Sequence, residues 1–176
     1  MTGRDTPQLP TAEHEARFWA LIESAWARLD PEVNAARRAL AVREPGTDVD
    51  YMLFDKAFDG FLGHLAADCA GLSGAELTDL DRVLERRLHD IDRAEIQEVT
   101  DGSDDGFLYA RGFVVALGRE FYEAVARDPE MAVLDGDCEE MCYFFAEVYR
   151  ERFGDFPETG SGISREPCSN PLGWPS

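Results

Sequence analysis

Large apolar residues recur every three or four positions along most of the chain, which is the spacing of one face of an α-helix. One such stripe runs from Phe18 through Ile22 to Trp26, and a longer one spans residues 77–91. No segment keeps the strict alternation of apolar and polar residues that is typical of a β-strand. The pattern therefore predicts an all-α fold.

Helix start signals divide this pattern into separate elements. Thr11 and Asp30 are residues that favour the N-cap, and a proline follows Asp30 directly. Ser73 with Glu76 three residues later fits a capping box, and Asp137 is predicted to cap the last long helix. Together these signals predict six or seven helices in a single compact, bundle-like domain with irregular termini.

The segment 107–125 is apolar almost all round, which is typical of a helix at the centre of a domain. Gly118 can divide this segment into two helices, because glycine is unfavourable inside a helix. The helical pattern as a whole occupies residues 11–154. Residues 1–10 are predicted to be a flexible leader, and residues 155–176 are predicted to be a tail rich in proline, glycine and serine.

The charge balance narrows the range of partners. The 176 residues include 17 Lys or Arg and 36 Asp or Glu, which gives a formal net charge of −19 at pH 7. Direct binding to nucleic acid is not expected, since that affinity comes from cationic contacts to phosphates. The chain has no run of apolar residues long enough for a membrane span and no signal-peptide pattern, so we expect a cytoplasmic protein without membrane contact.

Two acidic stretches, 95–105 and 128–140, contain no basic residue. One interpretation is that they are solvated loops and helix starts, where acidic side chains suit the helix dipole. The other is an acidic surface that steers a basic protein partner towards apolar contacts. The residues predicted to bind such a partner are Glu95, Glu98, Asp101, Asp135, Asp137, Glu139 and Glu140, with Tyr143 and Phe144 as the apolar contacts.

Arg111 is the most informative charged residue, because it lies within the apolar segment. Its guanidinium must reach water or pair with a carboxylate. One hypothesis is a structural ion pair between helices. The other is a site for an anionic ligand beside Asp104 and Asp105, at the acidic turn that begins the segment.

No pattern in the chain indicates a metal site, a cofactor or a nucleophilic catalyst. Cys138 and Cys142 share a helix face without the spacing of a zinc site, and Cys69 and Cys142 lie at apolar helical positions where thiols pack as core residues. The acids near Asp105 lack the glutamate of an EF-hand loop. We therefore predict no metal and no cofactor.

Four segments carry a resemblance to a known family. In chain order they read FWALIE, LSGAELTDLDRVLERRL, SDDGFLYARGFVVALGREFYEAVARDP and CEEMCYFFAEVYRERFG. Over about residues 14–155 the chain resembles the bacterial family called domain of unknown function 4240. The resemblance implies an all-α bacterial cytoplasmic domain, and it brings no established activity.

Size, charge and the absence of catalytic motifs favour a binding protein over an enzyme. We expect an acidic domain for protein–protein interaction, comparable to a regulator or immunity protein that masks a basic surface. The alternative is a small-molecule or metal-dependent enzyme whose site lies near Arg111 and the turn that contains Asp104 and Asp105.

Overall fold

The computed structural model describes residues 6–100 and 102–175, and within them it contains helices and no strands. The all-α prediction is confirmed. The predicted six or seven helices are too few, because the described residues form eight α-helices and two short 3₁₀ helices. The α-helices are α1 (Ala12–Ala27), α2 (Pro31–Leu40), α3 (Met52–Cys69), α4 (Gly74–Asp90), α5 (Ala94–Thr100), α6 (Asp104–Ala116), α7 (Arg119–Arg127) and α8 (Phe144–Phe153), and the 3₁₀ helices are Pro129–Met131 and Glu139–Tyr143.

Local capping sets several helix starts as predicted. The Thr11 side chain accepts a hydrogen bond from the backbone N–H of His14, and Asp30 caps α2. The Ser73 hydroxyl and the Glu76 carboxylate complete both halves of the capping box at the start of α4. Each of these bonds satisfies a backbone N–H that the helix itself leaves without a partner.

The turn after α4 accounts for the additional helix, whereas Gly118 divides the central segment in the way the sequence allows. The α4 stripe ends at Ile91, and the chain turns at Asp92 before α5 begins, so residues 94–100 form a helix of their own that the predicted number did not include. Gly118 separates α6 from α7 with a φ of 96°, a left-handed conformation that glycine adopts without strain. An added Cβ there would also lie 2.5 Å from Oε1 of Glu23.

The last helix starts later than predicted. Asp137 does not cap it, because the chain first forms the 3₁₀ helix Glu139–Tyr143, and α8 begins only at Phe144. The 3₁₀ helix is tied to α6. The backbone N–H of Cys138 donates to the carbonyl of Tyr109, and the Cys142 thiol donates to the carbonyl of Leu108. These tertiary contacts override the local cap signal.

The core lies between α4, α6 and the helices packed around them, and α6 is buried along nearly its whole length. Side chains from α1 and α2 satisfy the end of α6. The Trp26 indole N–H donates to the Ala116 carbonyl at 2.7 Å, and Arg37 donates to the Leu117 carbonyl while it pairs with Glu23. No helix within residues 6–100 and 102–175 is long and apolar enough to cross a membrane.

Three of the four cysteines belong to this core. Cys69, Cys138 and Cys142 are buried free thiols, and Cys168 is exposed. Burial raises the pKa of the Cys69 thiol and of the Cys142 thiol to about 12 each. Since the thiolate is the reactive form, both residues act as packing side chains.

The C-terminal segment, residues 155–175, contains no helix and packs along α4. Arg82 of α4 donates to the Thr159 carbonyl and to the side chain of Gln8, whose backbone N–H in turn donates to Gly160. The two ends of the described chain therefore meet over α4. Three buried charged residues, Asp81, Asp92 and Arg111, hold the rest of the segment, as described below.

We expect Gly112→Ala to destabilise the fold, because the 3₁₀ helix Glu139–Tyr143 packs directly on α6 at this glycine. An added Cβ would overlap the carbonyl oxygen of Cys138 and lie 2.7 Å from Sγ of Cys142. Overpacking of this kind costs about 1–3 kcal/mol in free energy of unfolding, measurable by urea denaturation. The matched control is Gly63→Ala in α3, where an added Cβ meets nothing within 4 Å. An equal change in both variants would contradict the prediction.

Candidate functional site

Four exposed carboxylates lie near one another around the start of the 3₁₀ helix Glu139–Tyr143. Asp55 comes from α3, Asp137 comes from the chain that leads into the 3₁₀ helix, and Glu139 and Glu140 begin that helix. Partial burial raises the pKa of Asp137, and the negative charges of Asp55, Glu140 and Glu139 raise it further. These charge effects on Asp137 indicate that the four carboxylates lie near one another.

Asp105, at the start of α6, extends this cluster. Tyr109 lies one turn further along α6, and its pKa is raised first by the charge of Glu139, then by desolvation, with a smaller contribution from the charge of Asp105. Glu139 and Asp105 therefore both lie close to the Tyr109 hydroxyl. We call the surface formed by Asp55, Asp105, Asp137, Glu139 and Glu140 the acidic face.

The charges of the acidic face are not neutralised within the described part of the chain. None of its five carboxylates forms an ion pair there, although thirteen such contacts occur elsewhere in the same residues. All five side chains are exposed. The acidic face is thus a surface of one sign that is open to solvent.

The other predicted acidic stretch has a different environment. Glu95 is exposed and pairs with Arg93, and Glu98 is exposed in the same surface depression. Arg93 and Arg127 both line that depression. The sequence analysis predicted that Glu95 and Glu98 bind the same partner as the acids of residues 128–140. The structure places Glu95 and Glu98 on a surface of mixed charge.

Two further predicted acids are not part of the acidic face as defined. Asp135 is exposed and lies with Arg43 in a groove of about 320 Å³ beside the chain that precedes α3. Its φ of 60° is in the left-handed region, which aspartate tolerates better than most residues. Asp101 lies outside the described residues.

The two aromatic residues predicted to dock a partner separate in the structure. Tyr143 is 38% exposed, with its hydroxyl 3.4 Å from Glu166. Phe144 is buried against Phe145, so the prediction that it contacts a partner is corrected. The reason is the 3₁₀ helix, whose three residues per turn place Phe144 on the same inward face as Met141.

Arg111 is completely buried and holds three parts of the fold together. Its terminal nitrogens donate to the carbonyl of Leu88 at 2.8 Å and to the carbonyl of Arg165 at 2.7 Å, and its guanidinium lies 4.9 Å from the Phe107 ring centre. Burial lowers its pKa, and the negative charge of Asp92 opposes that effect. The side chain thus links α6 to the end of α4 and to the C-terminal segment.

The structure does not pair Arg111 with Asp104 or Asp105. Both aspartates are exposed in the first turn of α6, where Ser103 supplies the cap by accepting from the Gly106 N–H. Within residues 6–100 and 102–175, no three His, Cys, Asp or Glu side chains come together as metal ligands. The guanidinium of Arg111 is therefore bonded to backbone carbonyls and not to either aspartate of the predicted ligand site.

A second buried charged residue is Asp81 of α4, which the sequence analysis did not single out. Its Oδ2 accepts from Arg165 at 2.6 Å, and Arg165 also donates to the Cys142 carbonyl at 2.6 Å. The backbone N–H of Ala146 lies near the same carboxylate, and Oδ1 has no well-aligned hydrogen bond among the described residues. Burial raises the pKa of Asp81, and the charge of Arg165 opposes that effect.

This ion pair borders a cavity of about 440 Å³ between α4, α8 and the C-terminal segment. We call it the α4–α8 cavity; its charged members include Asp81, Glu85 and Arg165, and Tyr143 and Phe156 supply aromatic surface. One signal of the site was present in the sequence, since Asp81 falls on the apolar stripe of α4, four residues after Leu77. A carboxylate at such a position needs a buried partner.

Comparison with known proteins identifies a family and no activity. The family described as Protein of unknown function (DUF4240) matches residues 14–151, which is most of the chain. No curated protein and no solved structure matches the chain significantly. Arg165 and the rest of the C-terminal segment lie beyond the matched residues. The match confirms the resemblance seen in the sequence: the chain belongs to the DUF4240 family.

Proposed function

We propose that this protein binds a basic protein partner through the acidic face, as a regulator or immunity protein masks a basic surface. The observation that carries the proposal is that five carboxylates from three separate parts of the chain meet without a compensating cation among the described residues. Mutual repulsion raises the free energy of the isolated protein, and a cationic surface would relieve it.

The arrangement suits fast and selective association. Uncompensated charges of one sign steer an oppositely charged partner during diffusion and repel acidic proteins. Met52 lies one helical turn before Asp55 on α3 and is 43% exposed, so an apolar contact is available beside the charges. Tyr143, at the end of the 3₁₀ helix that begins with Glu139 and Glu140, is a second exposed contact.

The experiment compares two triple variants that remove the same charge. One variant neutralises the acidic face with Asp137→Asn, Glu139→Gln and Glu140→Gln. The control neutralises three exposed acids on other surfaces with Glu32→Gln, Glu44→Gln and Glu151→Gln. A partner captured from host lysate with the wild-type protein is purified, and its Kd is measured for all three proteins.

We expect the face variant to bind the captured partner on the order of 100-fold more weakly, and the control to bind as the wild type does. Affinity should also fall steeply between about 50 and about 500 mM salt, because the charges are exposed and screened. Equal weakening in both triple variants, or an affinity independent of salt, would contradict the proposal.

A further inference from the structure

The α4–α8 cavity has the features of a binding site for a small molecule. Its volume of about 440 Å³ lies within the usual range for ligand sites. We propose that it binds a small organic ammonium ion, with the charged nitrogen at Asp81 and Glu85 and the apolar part against Tyr143 and Phe156. This site uses none of the five carboxylates of the acidic face and does not depend on the proposed function.

The first argument is the incomplete bonding of Asp81. Its side chain is only 3% exposed, and although the backbone N–H of Ala146 in α8 lies near the carboxylate, Oδ1 has no well-aligned hydrogen bond within the described residues. An unpaired oxygen of a buried carboxylate is costly, and most such groups in proteins have a partner. Because Asp81 lines the cavity, a donor on a bound molecule can supply that partner.

The second argument is the charge of the cavity wall. Oε2 of Glu85 accepts from the hydroxyls of Thr159 and Ser161, while Oε1 has, among residues 6–100 and 102–175, only a long contact of 3.8 Å with Nε of Arg165. Asp81 and Glu85 therefore share a single guanidinium. The three groups carry a net charge of minus one, which a monovalent cation would neutralise.

The same geometry disfavours an anionic ligand. Both terminal nitrogens of Arg165 are engaged, one with Asp81 and the other with the Cys142 carbonyl. A phosphate or carboxylate would have to displace one of these bonds and would approach two carboxylates. A cation needs neither change, and it gains the unused acceptors.

The remaining wall favours an apolar group next to the charge. Ala146, Phe156 and Pro157 line the cavity, and the Tyr143 ring lies under the Arg165 guanidinium at 5.0 Å. Phe156 is 53% exposed, so its ring has surface left to cover. An amine with one aromatic or aliphatic substituent fits this combination of charge and apolar surface.

The test uses benzylammonium and benzyl alcohol, which share a ring and differ in charge. Binding to the full chain is measured by isothermal titration calorimetry, with the wild type, Glu85→Gln and Asp81→Asn. Glu158→Gln is the control, since Glu158 belongs to the same C-terminal segment and is exposed. The triple variant of the acidic face is included to separate site binding from general attraction of cations. Circular dichroism confirms that each variant is folded.

We expect benzylammonium to bind the wild type, the Glu158→Gln control and the acidic-face variant with the same affinity, and benzyl alcohol to bind at least about tenfold more weakly. Glu85→Gln should lower the affinity for benzylammonium by about tenfold or more, and Asp81→Asn should do the same if it folds. Equal binding of the two probes, no binding of benzylammonium, or full affinity in Glu85→Gln would overturn the inference. Loss of binding only in the acidic-face variant would overturn it as well.

Discussion

Asp92→Ala is expected to release the C-terminal segment from α4 and to lower the free energy of unfolding by about 3–5 kcal/mol. The Asp92 side chain is fully buried, and its two oxygens accept from the backbone N–H groups of Cys168, Ser169 and Asn170. They also accept from the Ser169 hydroxyl and the Trp174 indole N–H. Alanine would leave these donors buried without an acceptor, so the segment would detach to reach water.

Hydrogen exchange measures the release of the C-terminal segment, and urea denaturation measures the loss in free energy of unfolding. Amide protons of residues 168–170 should exchange much faster in Asp92→Ala, because their acceptor is gone. The control is Asp90→Ala, two residues earlier, whose carboxylate pairs with Arg86 and Arg87 at the surface. That change should cost less than about 1 kcal/mol. Unchanged exchange at residues 168–170 in Asp92→Ala would refute the anchoring role.

Arg111→Ala is expected to cost a similar amount, about 3–5 kcal/mol in free energy of unfolding. Two buried carbonyls, those of Leu88 and Arg165, would lose their donors, and a cavity would replace a side chain packed on Phe107. Urea denaturation gives the value directly. If the guanidinium served mainly a ligand, its removal would leave the stability of the free protein nearly unchanged.

Two further variants separate the causes of this loss. Arg119→Ala removes an exposed arginine whose partner is Glu123, and it should cost less than about 1 kcal/mol. Arg111→Lys keeps a positive charge but cannot donate to two carbonyls in the planar geometry of a guanidinium. The free energy of unfolding of Arg111→Lys should therefore lie between those of the wild type and Arg111→Ala. A lysine variant as stable as the wild type would show that charge alone matters.

The sequence predicted helix positions well where local signals decide them. The apolar stripes and the caps at Thr11, Asp30 and Ser73 correspond to the observed starts of α1, α2 and α4. It failed where tertiary contacts decide. The turn at Asp92 is held by hydrogen bonds from the C-terminal segment. Asp137 does not cap a helix, because the residues that follow it pack on α6. Neither contact has a local signature.

Exposure of the acids was predictable, and their grouping was not. Asp137, Glu139 and Glu140 are close enough in sequence to suggest a common surface, but Asp55 joins them from a helix that is more than 80 residues earlier in the chain. Glu95 does not belong to a surface of one charge sign, because it forms an ion pair with Arg93. Runs of acidic residues show local charge density, whereas the field at a surface depends on which elements the fold brings together.

The α4–α8 cavity was harder still to predict, since Asp81 and Arg165 are 84 residues apart. The apolar position of Asp81 on α4 indicates that a buried partner must exist. Nothing in the local sequence around Arg165 identifies it as that partner, because it lies in a segment without helical pattern. Only the packed structure brings together the two charges and the space beside them.

The attachment of the C-terminal segment also sets an order of events during biosynthesis. Synthesis proceeds from the N-terminus, so residues 155–175 emerge from the ribosome after all eight helices. Until then Asp81 has no cation and Asp92 has no donors from the segment, and a carboxylate without a partner resists burial. Helix α4 therefore reaches its native environment only after translation of the helices is complete, and a nascent chain that stalls before residue 165 holds these carboxylates in water.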